Sequence, residues 1–393
     1  MRNLIIGAIF GIVCGAVVGA TLIGPQLVEQ IPGFQAESST AGSYSNPDLS
    51  KIEAKPALTA TDFESASAET SPVETEWRLA SAYGMTVPEL GNLAKRIEEI
   101  VWRASDGQFK IRVHNPGSLV APEQMFDAVR SGTIDAAFAS PADWADKVPA
   151  LGLFSSVPFG PSPREYLSWF YFSGGEKAYQ DIYRKQGIHS IICGMSAPEA
   201  SGWFKHKINT VQDIQGLRMR ISGLGAKVLE KLGAEPQNMS DGDVFVAFEA
   251  GLLDAAEFSQ PSIDLQLGLH KMAQHYYFPG WHQPATLFEL MVNLGTWEAL
   301  APARKMQLET ACGDNVRFSL AQSEAKQFAA LKNLVDQGAT IQSWPPDVLE
   351  ALEQAWADVA LEEAKKNRDF QQVWNSIEKF RLEFDIWREL SQP

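Results

Sequence analysis

The chain has 393 residues, 45% of them hydrophobic and 21% charged, which is enough for two domains of ordinary size with packed cores. Its formal net charge of −15 excludes a general binder of phosphate backbones and leaves an anionic ligand dependent on locally placed positive charge. The GxSxG, HExxH, CxxC and GxxxxGK[ST] signatures are absent, so the commonest hydrolytic, zinc-protease, thiol-redox and nucleotide chemistries have no motif here.

The first thirty residues stand apart. After Met1-Arg2-Asn3, residues 4–24 carry no charge over 21 positions, the length that spans a bilayer. A basic start followed by an apolar run predicts a secretory signal peptide or an uncleaved signal anchor over 1–30. The run is long for a signal peptide, which favours the anchor. Residues 31–75, rich in Ser, Ala, Thr, Pro and Glu, read as a disordered linker. An exported body tethered to a membrane is the expected arrangement.

From Glu76 helix and strand signals alternate. Trp77–Ala82 reads as a strand, Pro88 as the start of a helix with Leu90, Leu93, Ile97, Ile100 and Val101 on one face, and Phe109–Val113 as a second strand. Pro122 begins another helix, and Thr133–Ala139 gives a third strand. This β-α-β-α-β order predicts a largely parallel sheet. In the second half Leu217–Ile221 reads as a strand, Ser222 as a helix cap and Gly233 as a helix terminator. From Thr296 onward the chain reads as helical. Its tail carries the aromatic stripe Trp374, Phe380, Phe384 and Trp387, read first as core packing and second as a partner surface for a homodimer.

One segment occurs twice. Residues 125–140 read MFDAVRSGTIDAAFAS and residues 244–259 read VFVAFEAGLLDAAEFS, with Gly132/Gly251, Asp135/Asp254 and Ser140/Ser259 coinciding at an offset of 119. Two copies of one helix–Gly–strand unit predict two α/β lobes. Ligands of open α/β sheets bind beyond the carboxyl ends of the strands, which makes Ser140 and Glu257 first candidates for a shared cleft.

Several residues could carry binding chemistry. Arg220 ends the strand LRMRI, and a guanidinium fork matches a carboxylate in two parallel hydrogen bonds; Arg218, two residues earlier, is not separable from it by sequence. Glu199 and Glu257 stand among apolar or small neighbours, where an acid must be paired, protonated or metal-bound, and together they could hold a hard cation. Pro279-Gly280 turns the chain so that Trp281, His282 and Gln283 project from a loop. The six histidines show no transition-metal spacing and read as surface or structural. Cys193 and Cys312 read as two buried thiols, with a bridge as the alternative in an oxidising compartment.

These residues carry a resemblance. GWF at 202–204, RISGLGAKVLEKLGA at 220–234, FEAGLLDAAEF at 248–258 and YYFPGWHQP at 276–284 resemble the extracytoplasmic solute receptors of TRAP (tripartite ATP-independent periplasmic) transporters, especially the subgroup for 2-oxo acids and related monocarboxylates. The resemblance implies a two-lobed periplasmic-binding-protein-like α/β fold with its ligand cleft between the lobes, crossing strands, long C-terminal helices and no catalysis. The lobes would be 76–200, with part of 285–345 returning to it, and 201–284, followed by C-terminal helices at 346–393.

It also implies roles. Arg220 would bind the substrate carboxylate. A Na⁺ or Ca²⁺ ion would bridge substrate and protein through Glu199, Glu257, the Phe258 carbonyl and Gln283. Ser140, Pro141, Ala142 and Trp144 would form the first lobe's contact, and Trp281 would line the pocket. The subgroup usually has Gln at Glu199 and Glu at Gln283, so one carboxylate has moved across the site with total charge unchanged. Phe258 replaces the usual Trp, and Ala142 and Asp143 stand where Tyr is frequent. The implied partner is a TRAP membrane permease in the inner membrane, with the receptor in the periplasm, tethered by residues 4–24. The competing reading is a tethered ligand-sensing module using the same cleft without transport.

Overall fold

The chain runs first through β1 (Thr75–Ser81), α1 (Gly91–Ala104), β2 (Phe109–His114), α2 (Met125–Ser131) and β3 (Ala136–Ala139). The structure is a computed structural model and describes residues 74–239 and 243–391; the expected membrane segment at 1–30 and nearly all of the linker at 31–75 lie outside the described residues. Among the described residues no helix is long and apolar enough to cross a membrane. As the alternation predicts, β1 pairs in parallel with β2 and β3. The helix expected from Pro88 instead begins at Gly91. Glu89 takes a left-handed φ of 64°, and a Cβ on Gly91 would lie 2.2 Å from the Gly84 carbonyl oxygen, so the loop must turn before the helix can start.

Two helices, α3 (Pro163–Phe172) and α4 (Gly175–Lys185), lead into β4 (Ile188–Ser196). The chain then enters a second layer through β5 (Gly202–Phe204), β6 (Arg218–Arg220), α5 (Gly223–Lys231), β7 (Glu235–Gln237), α6 (Val244–Glu249), β8 (Ala255–Ala256), α7 (Pro261–Leu267) and β9 (His275–Phe278). It returns to the first sheet in β10 (Thr286–Asn293). After α8 (Leu294–Ala299) and the 35-residue α9 (Pro302–Asp336) come β11 (Thr340–Ser343), α10 (Pro346–Lys366) and α11 (Arg368–Ser391). The sheets order as β2-β1-β3-β10-β4 and β11-β9-β5-β8-β6-β7, giving a two-lobed α/β architecture.

The two copies of the repeated segment fold alike. In each a short helix closes on a left-handed glycine, Gly132 at φ 76° and Gly251 at φ 71°. Gly132 N–H donates to Val129 O and Thr133 N–H to Ala128 O; Gly251 N–H donates to Phe248 O and Leu252 N–H to Ala247 O, the same bonds at the same offset. The DAA strand that follows is buried and pairs with a parallel neighbour on one side, β1 or β6, and an antiparallel one on the other, β10 or β5.

Two segments carry the chain between sheets, residues 196–202 outward and 278–286 back, and they touch. Glu199 N–H donates to Gln283 O at 3.3 Å and Ser201 N–H to Tyr277 O at 2.9 Å. A Cβ on Gly280 would lie 2.1 Å from the Glu199 carbonyl oxygen, so only glycine allows this approach. Helix α9 runs along β4, α1 and α7. Its stripe Ser319, Ser323 and Gln327 is polar for a reason: Ser319 and Ser323 hydroxyls accept from Met195 N–H at 2.9 Å and Ala197 N–H at 2.8 Å, satisfying backbone that a ladder no longer serves.

Three expectations need correcting. Cys193 and Cys312 are not free thiols; they form a disulfide joining β4 to α9, with sulfurs 2.10 Å apart. Their proximity arises from α9 packing on β4, which a separation of 119 residues does not reveal. The helical tail is interrupted by β11, which pairs in parallel with β9 and takes its place from that edge rather than from a pattern of its own. The aromatic stripe divides: Trp374 and Phe380 are half-buried and packed against the core and Phe384 is half-buried, whereas Trp387 is exposed.

Candidate functional site

Strands β6 and β8 lie side by side in parallel, with Arg220 opposite Ala256, so Arg220 and the residue after β8 emerge together. Arg220 Nη1 donates to the Glu257 carbonyl oxygen at 2.7 Å and lies 3.4 Å from Glu257 Oε2, and its guanidinium carbon sits 5.0 Å from the Phe258 ring centroid. Arg218 is separated from it. Its Nε and Nη2 donate to the two carboxylate oxygens of Asp254 at 2.8 and 2.7 Å.

Glu199 reaches the same region from the outward crossing segment. Its Oε1 accepts from Gln283 Nε2 at 3.1 Å and from Thr286 Oγ1 at 2.9 Å, while its Oε2 is buried without a hydrogen-bond partner. Burial, then the neighbouring Glu257, push the Glu199 carboxyl well above the ordinary carboxylate range. Glu257 is displaced the other way. Burial works to raise it, but the adjacent His282 and Arg220 outweigh that and hold it below the usual range. Burial and the charges around them thus displace these two neighbouring acids in opposite directions.

His282 was not singled out by spacing, yet it completes the group. It is 3% exposed, its Nε2 lies 3.6 Å from Glu257 Oε1, and neither ring nitrogen has a hydrogen-bond partner. One candidate ligand atom from each of Glu199, Glu257 and His282 lies within 4.8 Å of the others. The signal available in the sequence was its position beside Gln283 on the returning loop; Thr286, three residues further, was equally unmarked. Trp281 is buried next to them, with its ring stacked at 5.7 Å on Phe159, whose N–H donates to Trp281 O at 2.6 Å.

The first lobe's candidates sit on the turn after β3. Ser140 caps the turn Pro141–Trp144, exchanging bonds with Ala142 N–H and Asp143, and its hydroxyl meets Ser155 Oγ at 2.7 Å. Trp144 points inward, its indole N–H donating to Glu289 Oε1 at 2.9 Å. Pro141 is buried and Ala142 half-buried. The structure thus brings Arg220, Glu199, Glu257, Phe258, Gln283 and Trp281 into one neighbourhood, and ties Ser140 and Trp144 into the first lobe.

Residues 84–367 match the family model DctP, bacterial extracellular solute-binding protein family 7. The chain belongs to this family. A monocarboxylate 2-oxoacid-binding periplasmic protein of Nostoc sp. is 32% identical over 319 residues, covering 80% of this chain and 86% of the relative. Two solved TRAP solute-binding proteins have the same fold. One from Bordetella bronchiseptica, a mixed-occupancy dimer with copurified calcium and picolinate, superposes with a TM-score of 0.78 at 32% identity, covering 81% of this chain and 95% of that one. One from Pseudoalteromonas atlantica, with bound sodium and pyruvate, does so with a TM-score of 0.77 at 31% identity, covering 81% and 97%. The receptor is a solute-binding protein and not an enzyme.

The receptor's donor set suits a cation. Two buried carboxylates facing each other, an unpartnered Glu199 Oε2 and an unpartnered imidazole are the groups a bound positive ion would satisfy.

Proposed function

We propose that the receptor captures a small 2-oxo acid or related monocarboxylate and delivers it to a TRAP membrane permease. Arg220 pairs with the substrate carboxylate. A Na⁺ or Ca²⁺ ion held by Glu199, Glu257, the Phe258 carbonyl and Gln283 neutralises the opposing acids and supplies a second positive contact to substrate oxygens. The observation that carries this reading is the convergence of Arg220, Glu257 and Glu199, one guanidinium and two buried acids, where the strand ends meet the crossing segments. Relatives holding pyruvate with sodium and picolinate with calcium support it.

On this reading residues 76–200, with part of 285–345, form one lobe, 201–284 the other, and 346–393 the C-terminal helices. Trp281 walls the ligand, and the turn Ser140, Pro141, Ala142 and Trp144 supplies the facing support. Contacts to both lobes are complete together only in a closed state, so ligand favours closure. Residues 4–24 tether the receptor to the inner membrane and raise its effective concentration near the permease. The exposed end of α11 and the dimer of the Bordetella relative support a homodimer. Calorimetry of the full-length protein against pyruvate, 2-oxobutyrate, lactate and succinate, with Na⁺, Ca²⁺ or chelator, tests the proposal. Affinity that survives strict removal of both cations overturns the ion-bridged model.

A further inference from the structure

Resting on the ion-bridged reading, we infer that Asp264 is the positioning residue that sets the spacing of Glu199, Glu257 and Gln283, and that it acts as a hydrogen-bond acceptor rather than as a charge. Asp264 is fully buried on α7, where its Oδ2 accepts from the Trp203 indole N–H and from the Tyr276 hydroxyl, both at 2.8 Å. The two donors stand in one row across the second sheet. Trp203 on β5 is opposite Ala256 of β8 on one side and Tyr276 of β9 on the other, and its ring lies flat on the Tyr276 ring at 3.9 Å. Because both donors share one oxygen, neither strand can slide along the other without breaking a buried bond.

That row is where the three segments carrying the proposed cation ligands enter or leave the second lobe. Glu257 follows Ala256 directly, the outward crossing segment leads from Glu199 to Trp203, and the chain runs from Tyr276 through the returning segment to Gln283. Helix α7 belongs to the chain that leaves Glu257 and Phe258, so Asp264 joins all three. The helix is itself anchored at its start: Gln327 Oε1 on α9 accepts the Ser262 N–H at 3.1 Å, and Gln260 Nε2 donates to Ala197 O at 2.6 Å. A buried indole N–H and a buried phenol O–H each need an acceptor. Burial pushes the Asp264 carboxyl up to about 7, with the Trp203 and Tyr276 bonds pulling it back. A full charge is therefore not what the two donors require, and an amide oxygen in the same place meets both.

The test uses the full-length protein, titrated calorimetrically with Ca²⁺, with Na⁺, and with pyruvate in the presence of each, at temperatures below the unfolding midpoint of every variant. Asp264→Ala is expected to weaken cation and pyruvate together about 10- to 100-fold, and Asp264→Asn to restore both to within about threefold of the unmodified protein. Tyr276→Phe removes one donor and keeps the stacked ring; it is expected to weaken both about fivefold, which keeps the inference testable where Asp264→Ala does not fold. Unchanged binding in folded Asp264→Ala or in Tyr276→Phe overturns the inference, and so does an Asp264→Asn variant as weak as Asp264→Ala. If the unmodified protein binds neither cation nor pyruvate, the ion-bridged function fails and the inference fails with it.

Discussion

Asp254 accepts two parallel hydrogen bonds from the guanidinium of Arg218, at 2.8 and 2.7 Å, and this pair holds Arg218 on its own strand while Arg220 reaches Glu257. Asp254 Oδ2 also accepts the Arg218 backbone N–H at 3.2 Å, and this bond recurs in the first lobe, where Asp135 Oδ2 accepts the Arg78 backbone N–H at 2.8 Å. In each repeated DAA run the aspartate ties the strand to its parallel neighbour. Arg218 is therefore a strand fastener, and Arg220 lies one step closer to Glu257 and the crossing segments.

Arg220→Ala is expected to weaken monocarboxylate binding by about a hundredfold or more, because it leaves a substrate carboxylate without its charge-assisted partner. Arg218→Ala is expected to leave affinity unchanged and to cost about 1 kcal/mol or less of stability, since its pair with Asp254 is partly exposed. Calorimetry and urea unfolding on both variants separate the two roles; equal losses of affinity would contradict the assignment.

Gly280→Ala is expected to destabilise the protein by about 1–3 kcal/mol or more. Its new Cβ would overlap the Glu199 carbonyl, 2.1 Å away, and must push apart the two crossing segments. Because Glu199 moves with that backbone, ligand affinity should fall together with the unfolding midpoint. A variant of normal stability and affinity would show that the segments separate easily.

Much of this was legible in the chain. The β-α-β-α-β order and the repeated helix–Gly–strand follow from local patterns that the fold preserves, and the strand ends carrying Arg220 and Glu257 emerge side by side. What escaped were long-range consequences. The sequence of β11 is short and half-exposed, and it is a strand because β9 offers an unpaired edge. The Cys193–Cys312 bridge depends on where α9 crosses β4. His282 matched no ligand spacing because its partners, Glu199 and Glu257, arrive from other segments.

Glu289 supplies a pH prediction away from the ligand. It is fully buried on β10, where Trp144, Tyr179, Tyr183 and Ser190 donate to it, yet burial outweighs these bonds and raises its carboxyl to about 7. With an ordinary value of 4.5, the folded protein binds more protons than the unfolded chain between those limits. Its stabilising contribution is thus fully present below the ordinary value and is lost as pH rises through about 7, amounting to roughly 3 kcal/mol at about 1.4 kcal/mol per pH unit. Urea midpoints measured across this range should decline with rising pH, and Glu289→Gln should flatten the decline. An identical slope in the variant would show that other groups govern it.

The disulfide gives a complementary expectation. Cys193 and Cys312 close a loop of 119 residues that contains β5 to β10 and all the second lobe's site residues, so removing the bridge enlarges the unfolded ensemble far more than it disturbs the local packing of two fully buried sulfurs. A loop of this length predicts a loss of about 3–5 kcal/mol on the chain-entropy model. The double variant Cys193→Ala/Cys312→Ala should lower the unfolding midpoint accordingly and still bind ligand under conditions where it remains folded, because neither cysteine lies among Arg220, Glu199 and Glu257. Loss of binding in the folded double variant would instead show that the attachment of β4 to α9 holds Glu199, three residues beyond the end of β4, in its place.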